Sequence, residues 1–360
     1  IDYRKLNAVT RKDNYPLPNI EDCMDTLAGN KYFSTLDMLW GYYQVLLDKD
    51  SRRKSAFITR YGLFEQIRMP FGLCNAPATF QRAINLILRG LTWSTVLAYL
   101  DDILVLGENF LDHLANLAEV FYRFRVYNLK LKPRKCFFFR TETGFLGRVI
   151  SKEGVKMDPE KVKAIVEWKM PETVNQLQIF LGFCNYHREF IKGYSDLVAP
   201  LYGLVGSKTK FHWERRHSEC VEKLKEAMCK APCLAYPMAE GMFVLDTDAS
   251  DMAVSGCLSQ YQNGVLQPIS FASHVLQPEQ KRYCTTRKEL LAVVKFTRHF
   301  RHYLLGRKFV VRTDHNSLVW LMNFRYLEGQ LARWVEELGR FDMEVQHRPG
   351  RQHANADAMS

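Results

Sequence analysis

The sequence predicts a multidomain chain of α+β character that closes in an α/β domain. Three observations carry this expectation. Residues 1–150 mix strand-like runs with two helical stretches. From Asp158 the pattern turns helical, and from Met242 strand-like runs return in the order three strands, helix, strand, helix. With 360 residues the chain has length for two or three domains with sizeable cores.

Taken in order, residues 1–30 open in strand-like sequence, and 13–18 must be extended because each Pro restricts the residue before it. Residues 31–37 read as a strand running toward Gly41. Two β-rich runs within 55–68 are split by Tyr61-Gly62, a hairpin signal. Residues 76–89 are helical, with Pro77 in the first turn and Gly90 just past the end. A helix over 110–127 and a strand pair ending at Phe145-Leu146-Gly147 complete this part. Helices are expected at 158–168, at 172–192 behind Pro171, and at 214–230, with a linker at 203–210. Strands follow near 242–247, 253–260 and 266–271, then a helix at 285–304 and a strand at 308–313. Helices near 315–323 and 329–338 precede a last strand at 341–347.

Composition narrows the function classes. Hydrophobic residues make up 47% and charged residues 25%, ordinary values for a globular protein. No apolar run reaches the ~18 residues a membrane span needs. The formal charge of +11 suits a polyanionic partner such as nucleic acid. Nine cysteines, an odd number without repeating spacing, point to reduced thiols in an intracellular compartment. His212, His217, Cys220, Cys229 and Cys233 do not make a zinc site, because no paired C-x₂-C occurs and 214–230 reads as one amphipathic helix. The first residue is Ile rather than Met, so a piece of a longer polypeptide is expected.

The chemistry concentrates first in 95–107, TVLAYLDDILVLG. Two apolar β-type runs flank Asp101-Asp102, so a tight hairpin would hold both carboxylates at its tip. An isolated Asp pair is more often a plain turn former. Upstream, Asp37 ends its own strand, and three acids converging on one point would repel unless cations were bound. Hard oxygen ligands with open positions suit Mg²⁺, with Mn²⁺ the alternative ion, and two such ions support nucleotidyl transfer.

Phe33-Ser34-Thr35-Leu36-Asp37 with Gly41-Tyr42-Tyr43-Gln44, the run from Met69-Pro70-Phe71-Gly72 to Gln81, and Tyr99-Leu100-Asp101-Asp102 lie in a characteristic order. Together they resemble the motifs of gypsy-type (Metaviridae) LTR retrotransposon reverse transcriptases. The resemblance implies a right-hand polymerase with partial fingers, palm, thumb and connection, followed by an RNase H-like fold. It assigns Asp37, Asp101 and Asp102 to metal binding, and Tyr42 to a steric gate against ribonucleotides, with Tyr43 its rival. Phe71, Gly72, Tyr99 and Gln81 would contact substrate, and Arg4 the template. It also implies that basic residues for the incoming triphosphate lie upstream of this sequence.

A second set of acids lies downstream. Asp246 and Asp248 share one strand face, Glu289 opens the run Leu290-Leu291-Ala292-Val293-Val294, Asp314 ends a strand and Asp357 lies near the C-terminus. Singly each is more often a bland surface acid. Together Thr-Asp-Ala-Ser, Lys-Glu-Leu-Leu, Thr-Asp-His and Ala-Asp-Ala resemble the retrotransposon RNase H set, which selects Asp248 over Asp246. Asp248, Glu289, Asp314 and Asp357 would bind two further Mg²⁺ ions. His347 sits where related nucleases carry a proton-handling His, and a strand-end structural role stands beside that one. Ser255 stands where the family usually has Gly.

The resemblance implies domains at 1–150 (fingers and palm), 151–205 (thumb), 206–240 (connection) and 241–360 (RNase H-like). The expected partners are an RNA template, a DNA primer, an RNA–DNA hybrid and dNTPs, with no membrane, and with protease and integrase segments on the full polyprotein. Cytoplasmic virus-like particles or the nucleus are the expected locations. The rival class is a non-catalytic, hybrid-binding remnant, whose mark would be substituted carboxylates; all seven proposed acids are present.

Overall fold

The structure, a computed structural model, describes residues 1–206, 211–318 and 328–348. The chain divides into two compact units, Ile1–Lys152 and Glu153–Ser360.

The first unit is organised by a four-stranded antiparallel sheet of β1 (Tyr32–Asp37), β2 (Val96–Tyr99), β3 (Asp102–Gly107) and β4 (Phe137–Arg140), in the order β2-β3-β1-β4. Residues 103–106 of β3 are all buried, which accounts for the unbroken apolar run there. The helix α1 (Ala76–Ile87) lays Ala76, Phe80 and Ile84 against this sheet at a spacing of four, and Leu88 continues the stripe. Burying a side chain the size of Phe80 contributes about 2 kcal/mol. A second helix, α2 (Phe110–Val126), buries His113, Leu117, Val120 and Phe124.

Two expectations for this unit are corrected. Residues 1–30 hold helices at Arg4–Val9 and Ile20–Asp25 rather than a strand. The Asp2 carboxylate accepts from the Arg4 N–H at 3.0 Å and Asn19 caps Glu21, so local side-chain caps outweigh strand propensity. Phe145-Leu146-Gly147 does not end a strand pair but forms a hairpin turn between Glu142–Phe145 and Arg148–Ser151. Leu146 and Gly147 both take positive φ (49° and 70°), the pattern of a type I′ turn.

In the second unit, helices run at Pro159–Val166, Val174–Tyr186 and Arg215–Cys229. The expected helix over 172–192 stops at Tyr186, and a separate helix, α3 (Tyr194–Tyr202), restarts at Gly193 with φ 65°. That helix escaped notice because Gly193 and Pro200 read as breakers. The terminal sheet has the order β7 (Val265–Val275), β6 (Ala253–Gln262), β5 (Phe243–Ala249), β8 (Phe309–Thr313), β9 (Met343–His347). The first three pair antiparallel, while β5–β8 and β8–β9 pair parallel. Parallel pairing needs a crossover, supplied by α4 (Thr285–His299), whose Leu290, Val293, Val294 and Phe296 lie in the core. The expected helix over 285–304 breaks at Phe300 into α4 and a short turn at Arg301–Leu304.

Arg215–Cys229 is one helix, as expected, and all nine cysteines are free. No helix among the described residues is long and apolar enough to cross a membrane.

Candidate active sites

The hairpin at 99–102 is tighter than its sequence suggested. Tyr99 pairs with Asp102, so Leu100 and Asp101 form the two-residue turn and Asp102 is already the first residue of β3. Leu100 takes φ 52°, a left-handed conformation that costs a branched residue about 1–3 kcal/mol. Gln81 holds this turn. Its Nε2 donates to the Ala98 carbonyl at 2.9 Å, and its Oε1 accepts from the Leu100 N–H at 2.7 Å. Gln81 is fully buried, so the expected substrate contact is corrected to a positioning role. Its polar character in a helix otherwise apolar on that face was the available signal.

Antiparallel register sets Asp37 opposite Asp102, and Gly41 gives Asp101 its space. A Cβ on Gly41 would lie 2.2 Å from Asp101 Oδ1. That oxygen is buried without a hydrogen-bond partner. Burial first, then Asp102 and Asp37, raise the Asp101 pKa, and burial and Asp37 raise that of Asp102. Lys135 works the other way on Asp102 and stands 3.4 Å from Asp37 Oδ2. Sequence reasoning missed Lys135. It arrives because the Lys132 N–H donates to the Asp37 carbonyl and Gln44 bridges Leu39 and Lys130. A basic run after a helix was the only sequence signal.

Tyr42 packs its ring 4.9 Å from Phe71 and 5.5 Å from Phe80, and Tyr43 stands 5.7 Å from Phe71. Phe71 is half exposed on the Tyr42 ring, and burial first, then the nearby Asp101 charge, raise the Tyr42 pKa. Gly72 has φ 95°, and its carbonyl accepts from Asn7. Arg4 lies in solvent, chelating Asp2 at 2.6–3.0 Å.

The downstream acids are drawn into one cluster. Among the described residues, Asp248, Glu289 and Asp314 each offer an oxygen, and all three lie within 4.8 Å of one another. Register explains this: β5 and β8 run parallel with Asp246 opposite Arg312, so two residues on, both chains deliver an acid at their carboxyl ends. Arg312 holds Asp246 at 2.7 and 2.5 Å, which removes Asp246 from the cluster and leaves Asp248. Glu289 is almost fully buried on rigid α4, and its Oε2 has no partner. Burial, Asp314 and Asp248 push its pKa up to about 8. Two unit charges about 4.8 Å apart repel by roughly 3.5 kcal/mol at an effective dielectric of 20. An all-oxygen donor set with an orphaned buried carboxylate oxygen therefore fits a hard divalent cation.

Asp357 lies outside the described residues. His347 Nε2 meets the Asp314 carbonyl at 3.0 Å, and His315 meets Thr286 at 2.8 Å, so both histidines brace the strand end. Gly256, the neighbour of Ser255, meets the need for a small residue: a Cβ there would lie 2.6 Å from the Phe296 ring.

Comparison with known proteins agrees with this geometry. The reverse transcriptase (RNA-dependent DNA polymerase) family matches residues 1–169, and the RNase H-like domain found in reverse transcriptase matches 239–341. The chain is 42% identical over 361 residues to the Retrovirus-related Pol polyprotein from transposon 297 of Drosophila melanogaster, covering 100% of this chain and 34% of that protein. It is 33% identical over 365 residues to the transposon Tf2-3 polyprotein of Schizosaccharomyces pombe, covering 100% and 27%. Among solved structures, the foamy viral protease-reverse transcriptase in complex with double-stranded DNA superposes with a TM-score of 0.82 at 25% identity, over 97% of this chain and 74% of that one. Its complex with RNA/DNA hybrid gives 0.77 at 25% identity, over 97% and 48%. The chain thus spans about a third of the length of the curated relatives it matches. Ordered reverse-transcriptase motifs, a parallel-strand acid cluster and similarity along the whole of this chain to part of transposon polyproteins lead to one assignment: the chain belongs to the retrotransposon Pol family, as a reverse transcriptase segment followed by an RNase H-like one.

Proposed function

We propose that this chain is an RNA- and DNA-directed DNA polymerase with ribonuclease H activity, copying retrotransposon RNA into DNA and degrading the RNA of the hybrid. The observation that carries the reading is the paired assembly of acids, Asp37 opposite Asp102 beside Asp101, and Asp248 with Glu289 and Asp314. Relatives named as Pol polyproteins and neighbours solved on double-stranded DNA and RNA/DNA hybrid support it.

In the polymerase, Asp37, Asp101 and Asp102 would hold Mg²⁺ or Mn²⁺, and in the nuclease Asp248, Glu289, Asp314 and Asp357 would. Bound cations supply a polarised hydroxyl or water nucleophile and neutralise charge on the leaving oxygen. The protein's own part is positional. Gln81 fixes the hairpin, and Gly41 leaves room for the Asp101 carboxylate. Tyr42, on Phe71, walls the site where a ribose 2′-OH would project. Lys135 brings a cation to Asp37 that an exposed pair holds by only about 0–1 kcal/mol, so it yields readily to a stronger one. Arg4, Gly72 and Tyr99 are assigned to template and nucleotide contacts on the resemblance. The surplus of Lys and Arg would track phosphates with steep salt dependence. Fingers and palm at 1–150, thumb at 151–205, connection at 206–240 and nuclease at 241–360 complete the domain assignment. Particles of the element in the cytoplasm, or the nucleus, are its proposed setting.

The test separates the two activities in one folded protein. Asp101→Asn should lower primer extension by about 10³-fold, the scale of losing one transition-state group, and spare hybrid cleavage. Glu289→Gln should do the reverse. Equal loss of both activities from either change, with the fold intact by circular dichroism, would overturn the two-site reading.

A further inference from the structure

Asp196 lies on α3, in the stretch between residues 169 and 239 that neither family match covers. Its Oδ1 accepts from the Ser250 hydroxyl at 2.5 Å. Ser250 stands two residues past Asp248, at the turn from β5 into β6. A serine hydroxyl has one proton and two lone pairs. Here both lone pairs are taken, by the Met252 N–H at 3.1 Å and the Ala253 N–H at 2.9 Å. The Ser250 N–H in turn donates to the Ala253 carbonyl at 2.9 Å. Ser250 therefore folds the turn that ends β5, and its one proton faces two acceptors, the Asp196 carboxylate at 2.5 Å and the Ala253 carbonyl at 3.1 Å, of which the carboxylate is the nearer and the charged one. A second bond ties the same helix start to the sheet, from the Ser195 N–H to Ser273 Oγ at 2.9 Å.

Asp196 also feels the charge of Asp248. It sits in the first turn of its helix, where an acid is favourable whatever else it touches. The Ser250 bond goes beyond that local role. It ties α3 to the turn on which a nuclease acid depends, and the turn's internal bonds do not require it.

We propose that Asp196 is a positioning residue of the nuclease, acting through Ser250 to hold the end of β5 so that the Asp248 carboxylate faces Glu289 and Asp314. The inference rests on the reading of those three acids as the nuclease site. Its consequence is that α3, outside the matched nuclease stretch, is a working part of that site.

The experiment uses the full chain and Mn²⁺ as the probe, followed by electron paramagnetic resonance without nucleic acid. The component of Mn²⁺ binding that Glu289→Gln removes defines the nuclease site. Asp196→Ala and Ser250→Ala should each weaken that component and lower the hybrid-cleavage kcat by about tenfold, with KM for the hybrid unchanged. The double variant should be no worse than either single, because both break one linkage. Asp196→Asn keeps an acceptor oxygen for Ser250 and should recover most of the loss. Wild-type Mn²⁺ affinity and kcat in Asp196→Ala, with or without a lower melting temperature, would return Asp196 to a helix-end acid and overturn the proposal. If Asp196→Ala does not fold, Ser250→Ala decides alone, and wild-type behaviour there overturns it too. Additive losses in the double variant would also overturn it. Normal cleavage by Glu289→Gln would instead sink the nuclease reading itself, a result that cannot be mistaken for failure of the Asp196 linkage.

Discussion

The nuclease brings oxygens of Asp248, Glu289 and Asp314 within 4.8 Å of one another, whereas the polymerase acids are spread along a hairpin and its neighbour, with Lys135 resting on Asp37. The difference follows from what carries each acid. In the nuclease, two parallel strands end side by side and a core helix delivers a buried Glu, so rigid elements fix all three carboxylates. In the polymerase, Asp101 sits on a turn with Leu100 in a left-handed conformation, and that turn is kept in place by one buried amide. A site on packed strands and helix is preassembled, while one on a strained turn depends on its supports. Four predictions break or sharpen this contrast.

The largest effect is expected at Gly41. Gly41→Ala places a methyl 2.2 Å from Asp101 Oδ1, so the carboxylate or the turn must move. Primer extension should fall by about 100-fold, the scale expected for misplacing a reacting group by an ångström. Hybrid cleavage by the same variant should stay at wild type. Near-normal extension would show that the turn tolerates displacement and that the acids are less constrained than their spacing suggests.

Gln81→Ala comes next. It leaves the Leu100 N–H and Ala98 carbonyl without their partner, at about 1–3 kcal/mol for each buried group. Polymerase kcat should drop roughly tenfold through a less ordered hairpin, with a lower melting temperature. Gln81→Glu, which keeps an acceptor for Leu100 but loses the donor to Ala98, should fall between. If Gln81→Ala raised KM for dNTP with kcat unchanged, a direct substrate contact would have to be restored.

Tyr42→Ala should alter selection more than rate. Removing the ring on Phe71 opens the wall beside Asp101, and ribonucleotides should enter the product several-fold more often. Sequencing or alkali cleavage of the product reads this directly. Unchanged discrimination in Tyr42→Ala, with altered discrimination in Tyr43→Ala, would move the gate one residue along.

The smallest effect concerns pH and metal-free stability. Glu289 ionises near 4.5 when unfolded and near 8 in the folded chain. The folded state therefore holds its proton more tightly, and stability falls as pH rises from about 4.5 to about 8. In EDTA, Glu289→Gln should melt a few degrees above wild type at pH 8.5 and show no gain at pH 5. Mg²⁺ added to the wild type should recover stability at pH 8.5. A Glu289→Gln melting curve parallel to wild type across this range would mean the buried carboxylate is not strained by its neighbours.

Much of this was legible from residues alone. The apolar stretches around Asp101-Asp102, the helix bracketed by Pro77 and Gly90 and the strand order from Met242 onward each follow from period and composition, which act locally along the chain. The carboxylates were legible because their order along the chain matches a known pattern. Several features were not, because they depend on segments far apart in sequence meeting in space. Lys135 reaches Asp37 only through the pairing that follows α2, and Gln81 proved a buried support rather than a substrate contact only once α1 lay under the hairpin. The N-terminal helices prevailed because the Asp2 carboxylate, one residue before the first helix's N-cap, and the Asn19 cap satisfy backbone groups that strand propensity ignores. Asp246 and Asp248 share one strand face and one chemistry, and sequence alone offers no physical reason to prefer either. Parallel register set Arg312 against Asp246, neutralised it, and left Asp248 to face Glu289 and Asp314.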